Sequence, residues 1–320
     1  MISRRQALAL AAGAAAAPHL AAFRALARPL AYDLQPVPIG EGAWMVAGAQ
    51  EAITFANGGA IANVAILDSE AGAIVIDAGP SRWYGEALRT LAERLTGKPV
   101  ARVYLTHFHP DHVFGAQAFD PRLVAAPLGV IQGLKEHGDG FADAMYQIAL
   151  DWMRGTEVVL PQKILGEGVE DFGGRRIRPL TLSGHTASDL ALFDERTGIL
   201  FAGDLAFLDR APTTPHANLA AWRTSLAKLA SILSVLLVPG HGPAEPGGRA
   251  LAQTRDWLDA IEFIIRDAFE RGLDPTEAMA LPLPAWTRDI ALARYEFVRS
   301  VQHFYPKLEA SRWERVDETP

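Results

Sequence analysis

The sequence predicts an α/β protein built as a four-layer αββα sandwich. Two observations support this: the chain repeats a pattern of hairpin, helix and strand, and each copy ends in a histidine. The third observation is chemical, because the segment 106–112, THFHPDH, holds three of the chain's nine histidines and one aspartate. A solvated loop does not need that density, whereas a metal site does. The 320 residues, 49% of them hydrophobic, are enough for one large domain or two ordinary ones.

The two hairpins are NVAILDSEAGAIVID, residues 63–77, and DLALFDERTGILFAG, residues 189–203. Each contains an apolar run, a polar turn with glycine and a second apolar run, which is the pattern of a β-hairpin. Three residues of the first hairpin recur 126 positions later in the second: Ala65 as Ala191, Asp68 as Asp194 and Gly72 as Gly198.

Each hairpin is followed by a helical pattern with leucines on one face and then by a short apolar strand. The helices cover 84–95 and 217–233, and the strands cover 101–106 and 234–238. The strands lead to His107 and His241. Two copies are too few for a solenoid. We therefore predict two similar halves with their sheets packed together, helices outside, and strand ends meeting along one edge.

The remaining segments are predicted to surround this site or to cover the core. Two helices, over 127–138 and 141–155, should flank the entrance to the site. Two more, over 249–272 and roughly 288–304, are interpreted as structural cover. The walls of the pocket are expected from three loops, 51–62, 128–155 and 207–218.

Charge and composition restrict the partners. The net charge is −7 and no lysine or arginine run stands out, which argues against a nucleic-acid partner. The chain has no cysteine, so any metal must be held by imidazole and carboxylate. A small molecule is the expected substrate, and an oligomer is left open.

The N-terminus resembles a twin-arginine export signal. Arg4 and Arg5 precede a weakly apolar, alanine-rich stretch at 7–17, and Ala25–Ala27 offers small residues for cleavage. Eleven apolar residues are too few to span a bilayer. We predict a signal peptide at 1–27 and a single domain with C-terminal helices at 28–320. The mature chain would be periplasmic or secreted, without a stable membrane anchor. The alternative is an alanine-rich N-terminal helix.

The THFHPDH segment presents ligands in two directions. His107 and His109 are two apart, so in an extended segment their imidazoles fall on the same side. Pro110 suits the start of a helix. Asp111 and His112 then lie in the first helical turn and point elsewhere. Two neighbouring metal ions require this kind of arrangement.

Three further residues complete the predicted metal set. His185, in LSGHTASD, joins His107 and His109 at the first ion, and His241, in VPGHGP, joins the second set. Asp204, in LFAGDLAF, has two carboxylate oxygens and can bridge the two cations. A lone histidine at a strand end is more often a hydrogen-bonded loop residue than a ligand. The combination with the 106–112 segment favours ligands.

These motifs resemble the metal-binding motifs of the metallo-β-lactamase superfamily over nearly all of the mature chain. The resemblance implies the αββα sandwich and usually two zinc ions. It assigns the ligands by position: His107, His109 and His185 at the first ion, Asp111, His112 and His241 at the second, and Asp204 between them. The set is similar to that of glyoxalase II and the lactonases. It differs from β-lactamases that use cysteine, which points away from β-lactam hydrolysis.

Three further stretches are similar to exported zinc metallohydrolases associated with quinoprotein and sulfur-oxidation systems. They are NGGAIANVAIL, VIDAGPSRWYGEAL and RAPTTPHANLAAW. This resemblance implies an exported enzyme and leaves its substrate open.

The sequence predicts a binuclear hydrolase in which a metal-bound hydroxide attacks a thioester, lactone or related carbonyl substrate. Two Zn²⁺ ions are expected, although imidazole and carboxylate also accept iron or manganese. Zinc lowers the pKa of bound water from ~15.7 to roughly 7. Asp111 is the predicted catalytic residue, which orients the hydroxide by accepting its hydrogen bond.

Two alternatives remain at this stage. One is a mononuclear iron sulfur-oxygenase on the same fold, with iron at His107, His109 and His185. The complete second set, with Asp111 and His112, argues against it. The other is a non-catalytic periplasmic metal-binding accessory protein.

Several residues around the ligands have two interpretations. Asp77 either accepts a hydrogen bond from a ligand histidine or caps a strand-end turn, and Ser183 and Thr186 either orient His185 or shape its turn. His216 either faces the substrate or caps the next helix. The remaining histidines are predicted at the surface: His19, His137 and His303.

Overall fold

Two β-sheets pack face to face in the computed structural model, which describes residues 30–312. The predicted signal peptide and His19 fall on residues 1–29, outside the described part of the chain. Residues 34–312 lie in one compact unit. Helices cover the outer faces of both sheets, so the predicted four-layer αββα sandwich is confirmed.

The first sheet contains seven strands in chain order. Neighbouring strands run antiparallel from β1 to β4 and parallel from β4 to β7. The strands are β1 Pro36–Gly40, β2 Ala43–Val46, β3 Val64–Ser69, β4 Gly72–Ile76, β5 Val100–Tyr104, β6 Val124–Ala126 and β7 Lys163–Ile164.

The second sheet contains five strands in the order β12-β11-β10-β9-β8. Only β11 and β12 run parallel to each other. The strands are β8 Glu170–Asp171, β9 Arg176–Leu182, β10 Asp189–Asp194, β11 Ile199–Phe207 and β12 Leu236–His241. Both predicted hairpins are present, as β3–β4 and β10–β11, and each leads through a helix to a parallel strand.

Side-chain alternation along the strands separates the core into layers. In β11, Ile199 and Phe201 pack between the two sheets, whereas Leu200 and Ala202 pack in the cluster that contains the outer helices. Successive strand residues point to opposite faces, so a strand buried on both sides is apolar throughout. This explains why the apolar runs in the hairpins are continuous.

Seven α-helices and three short 3₁₀ turns are found in residues 30–312. The helices are α1 Arg82–Thr96, α2 Pro110–Val113, α3 Leu128–Ala149, α4 Leu219–Ala230, α5 Arg249–Glu270, α6 Pro275–Ala280 and α7 Ala293–Arg312. In this part of the chain, none combines the length and apolarity that crossing a bilayer requires.

The connection between the halves differs from the prediction. The expected pair of helices is one continuous helix, α3, followed by a 3₁₀ turn at Leu150–Met153. Gly138 lies within α3 without breaking it, and a Cβ at this position would come within 2.8 Å of the Val158 side chain. This glycine therefore allows close packing. Both segments contain helix as predicted, but they form one helix and not two.

The C-terminal helix also begins later than predicted. Ala291 is hydrogen-bonded to the loop that follows β11. Its carbonyl accepts from the Ala211 N–H, and its N–H donates to the Asp209 carbonyl, both over 2.9 Å. Leu292 then adopts a positive φ of 60°. Helix α7 starts only at Ala293 and continues beyond the predicted end.

Candidate metal centre

All seven predicted ligands meet at one edge of the two sheets. They form two groups, each with donor atoms within 4.8 Å of one another. None of the seven residues is more than 7% exposed. The first group is His107, His109, His185 and Asp204, and the second is Asp111, His112 and His241.

Asp204, a member of the first group, also faces histidines of the second. Its Oδ1 is 3.2 Å from Nε2 of His112, and its Oδ2 is 3.3 Å from Nε2 of both His185 and His241. Oδ2 of Asp111 is 3.4 Å from Nε2 of His241. One carboxylate therefore faces histidines of both sets, as a bridging ligand would.

The donor atoms fit a metal ion and lack other partners. Nε2 of His107, Nε2 of His112 and Oδ1 of Asp204 are buried without a hydrogen bond in the described structure. Nε2 of His185 and Nδ1 of His109 face each other over 2.9 Å. Buried polar atoms are normally satisfied, and several orphaned acceptors pointing at one another call for a cation. The residues present thus suit divalent metal ions.

Hydrogen bonds to the other ring nitrogens set the orientation of the ligands. Nδ1 of His107 lies 3.0 Å from the Thr106 hydroxyl, and Nδ1 of His241 lies 2.8 Å from the Ile61 carbonyl. In both rings, Nε2 is left to face the site. Metal-binding histidines usually donate their second N–H in this way, which holds the ring and its tautomer.

Asp77 connects both ends of the 106–112 segment. Its Oδ1 accepts from the Thr106 N–H, and its Oδ2 accepts from the Thr106 hydroxyl and lies next to Nδ1 of His112, each over 2.8 Å. The residue adopts φ 60° at the end of β4, a conformation in which aspartate is tolerated. The structure therefore supports the interpretation in which Asp77 contacts a ligand histidine, here His112.

His216 also contacts a predicted ligand. Its Nδ1 is 2.9 Å from Nε2 of His109. The N-cap of α4 is Asn218, whose side chain accepts from the Ala221 N–H. His216 therefore does not cap the helix, and it lies on the wall of the cavity above the site.

The loop that carries His185 depends on Asp189, which the sequence analysis missed. Asp189 accepts hydrogen bonds from the backbone N–H groups of His185 and Thr186 and from the Thr186 hydroxyl. The Thr186 side chain thus shapes the turn. An aspartate four residues after the histidine, in HTASD, was the available signal.

The same loop packs directly on α4. Gly184 adopts φ +141°, and a Cβ there would lie 2.2 Å from the Cα of Trp222. The backbone of Ser183 anchors the loop to α4, because its N–H donates to the Ser225 hydroxyl and its carbonyl accepts from the same hydroxyl. The Thr186 hydroxyl contacts Ser188 and Asp189 within the turn, so of the two residues Thr186 is shown to shape it.

Burial and charge set the protonation of the ligands. Burial lowers the pKa of His107, His109 and His185 well below the usual histidine value, with neighbouring imidazoles adding to the effect at each. Burial also opposes charge on His112, but nearby carboxylates, led by Asp204, raise its pKa well above the usual value. His107, His109 and His185 are therefore neutral and can ligate a cation without losing a proton.

A cavity of about 280 Å³ opens onto the site. The three predicted wall segments each contribute, for example through Ile53, Phe141 and Thr213. Helix α7 adds Tyr295, Glu296 and Arg299, which the sequence analysis treated as structural cover. Amphipathic spacing alone does not reveal that one end of a covering helix reaches a pocket.

Two histidines predicted at the surface are partly buried instead. The His137 ring stacks on Phe108, with centroids 5.3 Å apart, and lies 5.5 Å from His216. His303 lies next to Lys307 on α7, and burial lowers its pKa to about 4. Phe108, which stacks on His137, comes from a different segment, so the sequence around His137 gave no indication of this contact.

Comparison with known proteins identifies the family. A sequence profile of the metallo-β-lactamase superfamily matches residues 57–241, which is more than half of the chain and includes all seven predicted ligands. The chain belongs to the metallo-β-lactamase superfamily. Within it, the chain is 25% identical over 183 residues to the "Beta-lactamase-like protein 2 homolog" of Caenorhabditis elegans, covering 57% of this chain and 56% of that protein. The chain thus spans little more than half the length of this relative.

One further relative and one solved structure are also similar to the chain. The "Probable metallo-hydrolase YqjP" of Bacillus subtilis (strain 168) is 24% identical over 227 residues, with 57% of this chain and 67% of that protein covered. The solved structure of a metallo-β-lactamase from Pontibacter korlensis superposes with a TM-score of 0.59 at 20% identity, covering 71% of this chain and 99% of that one. The latter similarity shows the shared fold.

Proposed function

We propose that this superfamily member is a binuclear metal-dependent hydrolase acting on a thioester, lactone or related carbonyl substrate. The observation that carries the proposal is the position of Asp204 between two buried groups of metal-binding side chains, within 3.3 Å of histidines from both. A carboxylate shared in this way reduces the repulsion between two neighbouring cations.

The proposed ligands are His107, His109 and His185 at one ion and Asp111, His112 and His241 at the other. Two Zn²⁺ ions suit this imidazole and carboxylate set, and iron or manganese would also fit it. When bound, such ions would lower the pKa of water to roughly 7 and would polarise a carbonyl oxygen.

Asp111 is the proposed catalytic residue. Oδ2 of Asp111 faces Nε2 of His112 at 3.6 Å and Nε2 of His241 at 3.4 Å. The residue also lines the cavity, where its other oxygen can accept a hydrogen bond from the attacking water and hold it towards the carbonyl carbon. The proton that the water gives up is then available for the leaving thiolate or alkoxide.

The rest of the cavity would position the substrate and exclude water. Apolar side chains from α3, Phe141, Met145 and Ile148, line it together with Ile53 and Ile61. An apolar wall next to buried ligands favours a small organic substrate that contributes its own apolar surface.

We further propose that the mature chain acts in the periplasm or outside the cell. Arg4 and Arg5 ahead of the alanine-rich stretch at 7–17 support this. Fractionation of cells that express the full chain would test it, since export should shorten the protein by about 27 residues and be lost in an Arg4→Lys, Arg5→Lys variant.

Hydrolysis by the metal-loaded protein tests the main proposal. A panel of thioesters, lactones, β-lactams and phosphoesters should reveal turnover with at least one carbonyl class, and added chelator should abolish it. Stoichiometric metal without turnover across the panel would favour a non-catalytic metal-binding protein instead.

A further inference from the structure

The loop between β11 and α4 carries His216 in a tight turn. The Ala217 N–H donates to the Thr214 carbonyl over 2.9 Å, so Pro215 and His216 occupy the two central positions of the turn. Proline is favoured at the first of these positions because its ring fixes φ. The direction of the His216 side chain therefore depends on where the turn at 214–217 is held.

Helix α7 holds this turn through a pair of hydroxyl groups. The side-chain oxygens of Thr214 and Ser300 lie 2.7 Å apart, and both residues are fully buried. The Ser300 hydroxyl donates to the Glu296 carbonyl, also over 2.7 Å. Because a serine hydroxyl has one hydrogen to donate, Thr214 is the donor to Ser300. Loss of either hydroxyl would leave the other without this partner in the interior, which is costly.

Neighbouring contacts hold the loop on both sides of the turn. Before the turn, the Thr213 hydroxyl donates to Oε1 of Glu296 over 2.9 Å. After it, the Asn218 N–H donates to the Gly184 carbonyl over 2.9 Å, next to the predicted ligand His185. The turn therefore lies between α7 and a loop of the metal centre, and contacts with both determine its position.

His216 connects the turn to the first metal group. Its Nδ1 is 2.9 Å from Nε2 of His109, whose Nδ1 faces His185. When His109 ligates a metal through Nδ1, its Nε2 carries the hydrogen and donates it to His216. Helix α7 lies beyond residues 57–241, the part of the chain that matches the superfamily profile. A path of contacts thus runs from the C-terminal region, through the turn, to a predicted ligand.

We propose that Ser300 is a positioning residue for the first metal ion, and that α7 sets the affinity for that ion through Thr214 and His216. This inference rests on the proposed metal site and does not depend on the substrate. Without the Ser300 contact, the turn loses its fixed position on α7, and His216 no longer holds the His109 ring in one orientation. Ligand histidines that lose such a partner bind metal less tightly.

Zinc titration in a single-site background tests this role. His241→Ala removes a ligand of the second group, so competition with a zinc-binding dye then reports the first ion. In this background, Ser300→Ala and Thr214→Val should each weaken zinc binding by about 3- to 10-fold, the loss of one hydrogen bond. Thr214→Ser keeps the hydroxyl and should retain the affinity of the background protein.

A double-mutant cycle separates positioning of His216 from a general loss of packing. If Ser300 acts through His216, Ser300→Ala should lower the affinity no further in a protein that already carries His216→Phe. Thr287→Val is the matched control, because it removes a buried hydroxyl of the C-terminal region that donates within its own turn, to the Pro284 carbonyl. This control should leave zinc affinity unchanged. If Ser300→Ala does not fold, Thr214→Val tests the same hydrogen bond from its other side.

The outcomes separate this inference from the hydrolase proposal. Unchanged zinc affinity in Ser300→Ala and Thr214→Val, or an equal loss from Ser300→Ala with and without His216, would overturn the positioning role and keep the binuclear hydrolase. A wild-type protein that binds no zinc would overturn both. A protein that binds zinc but hydrolyses nothing in the substrate panel would end the hydrolase proposal, while the titration would still decide the role of Ser300.

Discussion

Asp77 and His112 are joined by a hydrogen-bond contact of 2.8 Å between Oδ2 and Nδ1. The same carboxylate accepts two hydrogen bonds from Thr106, so one residue at the end of β4 orients both ends of the metal-binding segment. With Nδ1 held by Asp77, Nε2 of His112 faces Asp204 and Asp111. Asp77 should therefore control metal affinity without being a ligand.

Substitution of Asp77 tests this relationship. Asp77→Ala should lower metal affinity by about 10- to 100-fold, the usual effect of losing a partner of a ligand histidine. Competition with a zinc-binding dye would measure it. Asp120→Ala, at a partly exposed aspartate paired with Arg122, is the control. Equal affinities in the two variants would show that Asp77 only shapes the turn.

His216 should support the first ion in the same manner. His216→Phe removes the partner of Nε2 of His109 and should lower metal affinity by about 10-fold or more. His303→Phe changes a partly buried histidine on α7 that contacts Lys307 and no predicted ligand, so it should retain wild-type affinity. A metal titration of both variants distinguishes positioning of His109 from general packing, which would affect both alike.

Asp111 should be required for turnover but not for folding. Asp111→Ala should abolish hydrolysis of any substrate found in the panel, because it removes the group that orients the attacking water. The circular dichroism spectrum should remain that of the wild type. Wild-type activity in this variant would refute the proposed role.

Gly240 has no side chain, and this leaves room for the Asp204 carboxylate. A Cβ at this position would lie 1.9 Å from Oδ1 of Asp204, so Gly240→Ala must displace the carboxylate. We expect a loss of bound metal, measured by elemental analysis after gel filtration. Gly166→Ala is the matched control, because no heavy atom lies within 4 Å of its added methyl group. Full metal content in Gly240→Ala would show that Asp204 is not needed.

Metal removal should reduce stability. Chelation leaves Nε2 of His107, Nε2 of His112 and Oδ1 of Asp204 buried without partners. A ligand present at 1,000 times its Kd stabilises the folded state by about 4.1 kcal/mol, so the unfolding midpoint should fall in chelator and recover with added Zn²⁺. An unchanged midpoint would argue that the site does not hold metal.

The sequence predicted the fold and the position of the ligands because both depend on local patterns. The hairpins with continuous apolar runs predicted the two sheets. His107 lies shortly after β5, and His241 is the last residue of β12, so both are near strand ends. The continuity of α3 was missed because Gly138 looks like a break until Val158 is seen to pack against it.

Contacts between distant segments could not be predicted from the sequence. His216 and His109 are 107 residues apart, and no local pattern indicates that their rings meet. The same holds for Arg210 and Glu296, which come together only because α7 folds back over the loop after β11. Pocket walls built from two distant elements require the tertiary structure.

The stoichiometry of bound metal tests the central claim most directly. Elemental analysis of the purified protein should find two zinc, manganese or iron ions per chain, and about one in His241→Ala, which removes a ligand of the second group only. Near one iron per chain in the wild type, unchanged in His241→Ala and accompanied by oxygen uptake, would contradict the binuclear hydrolase.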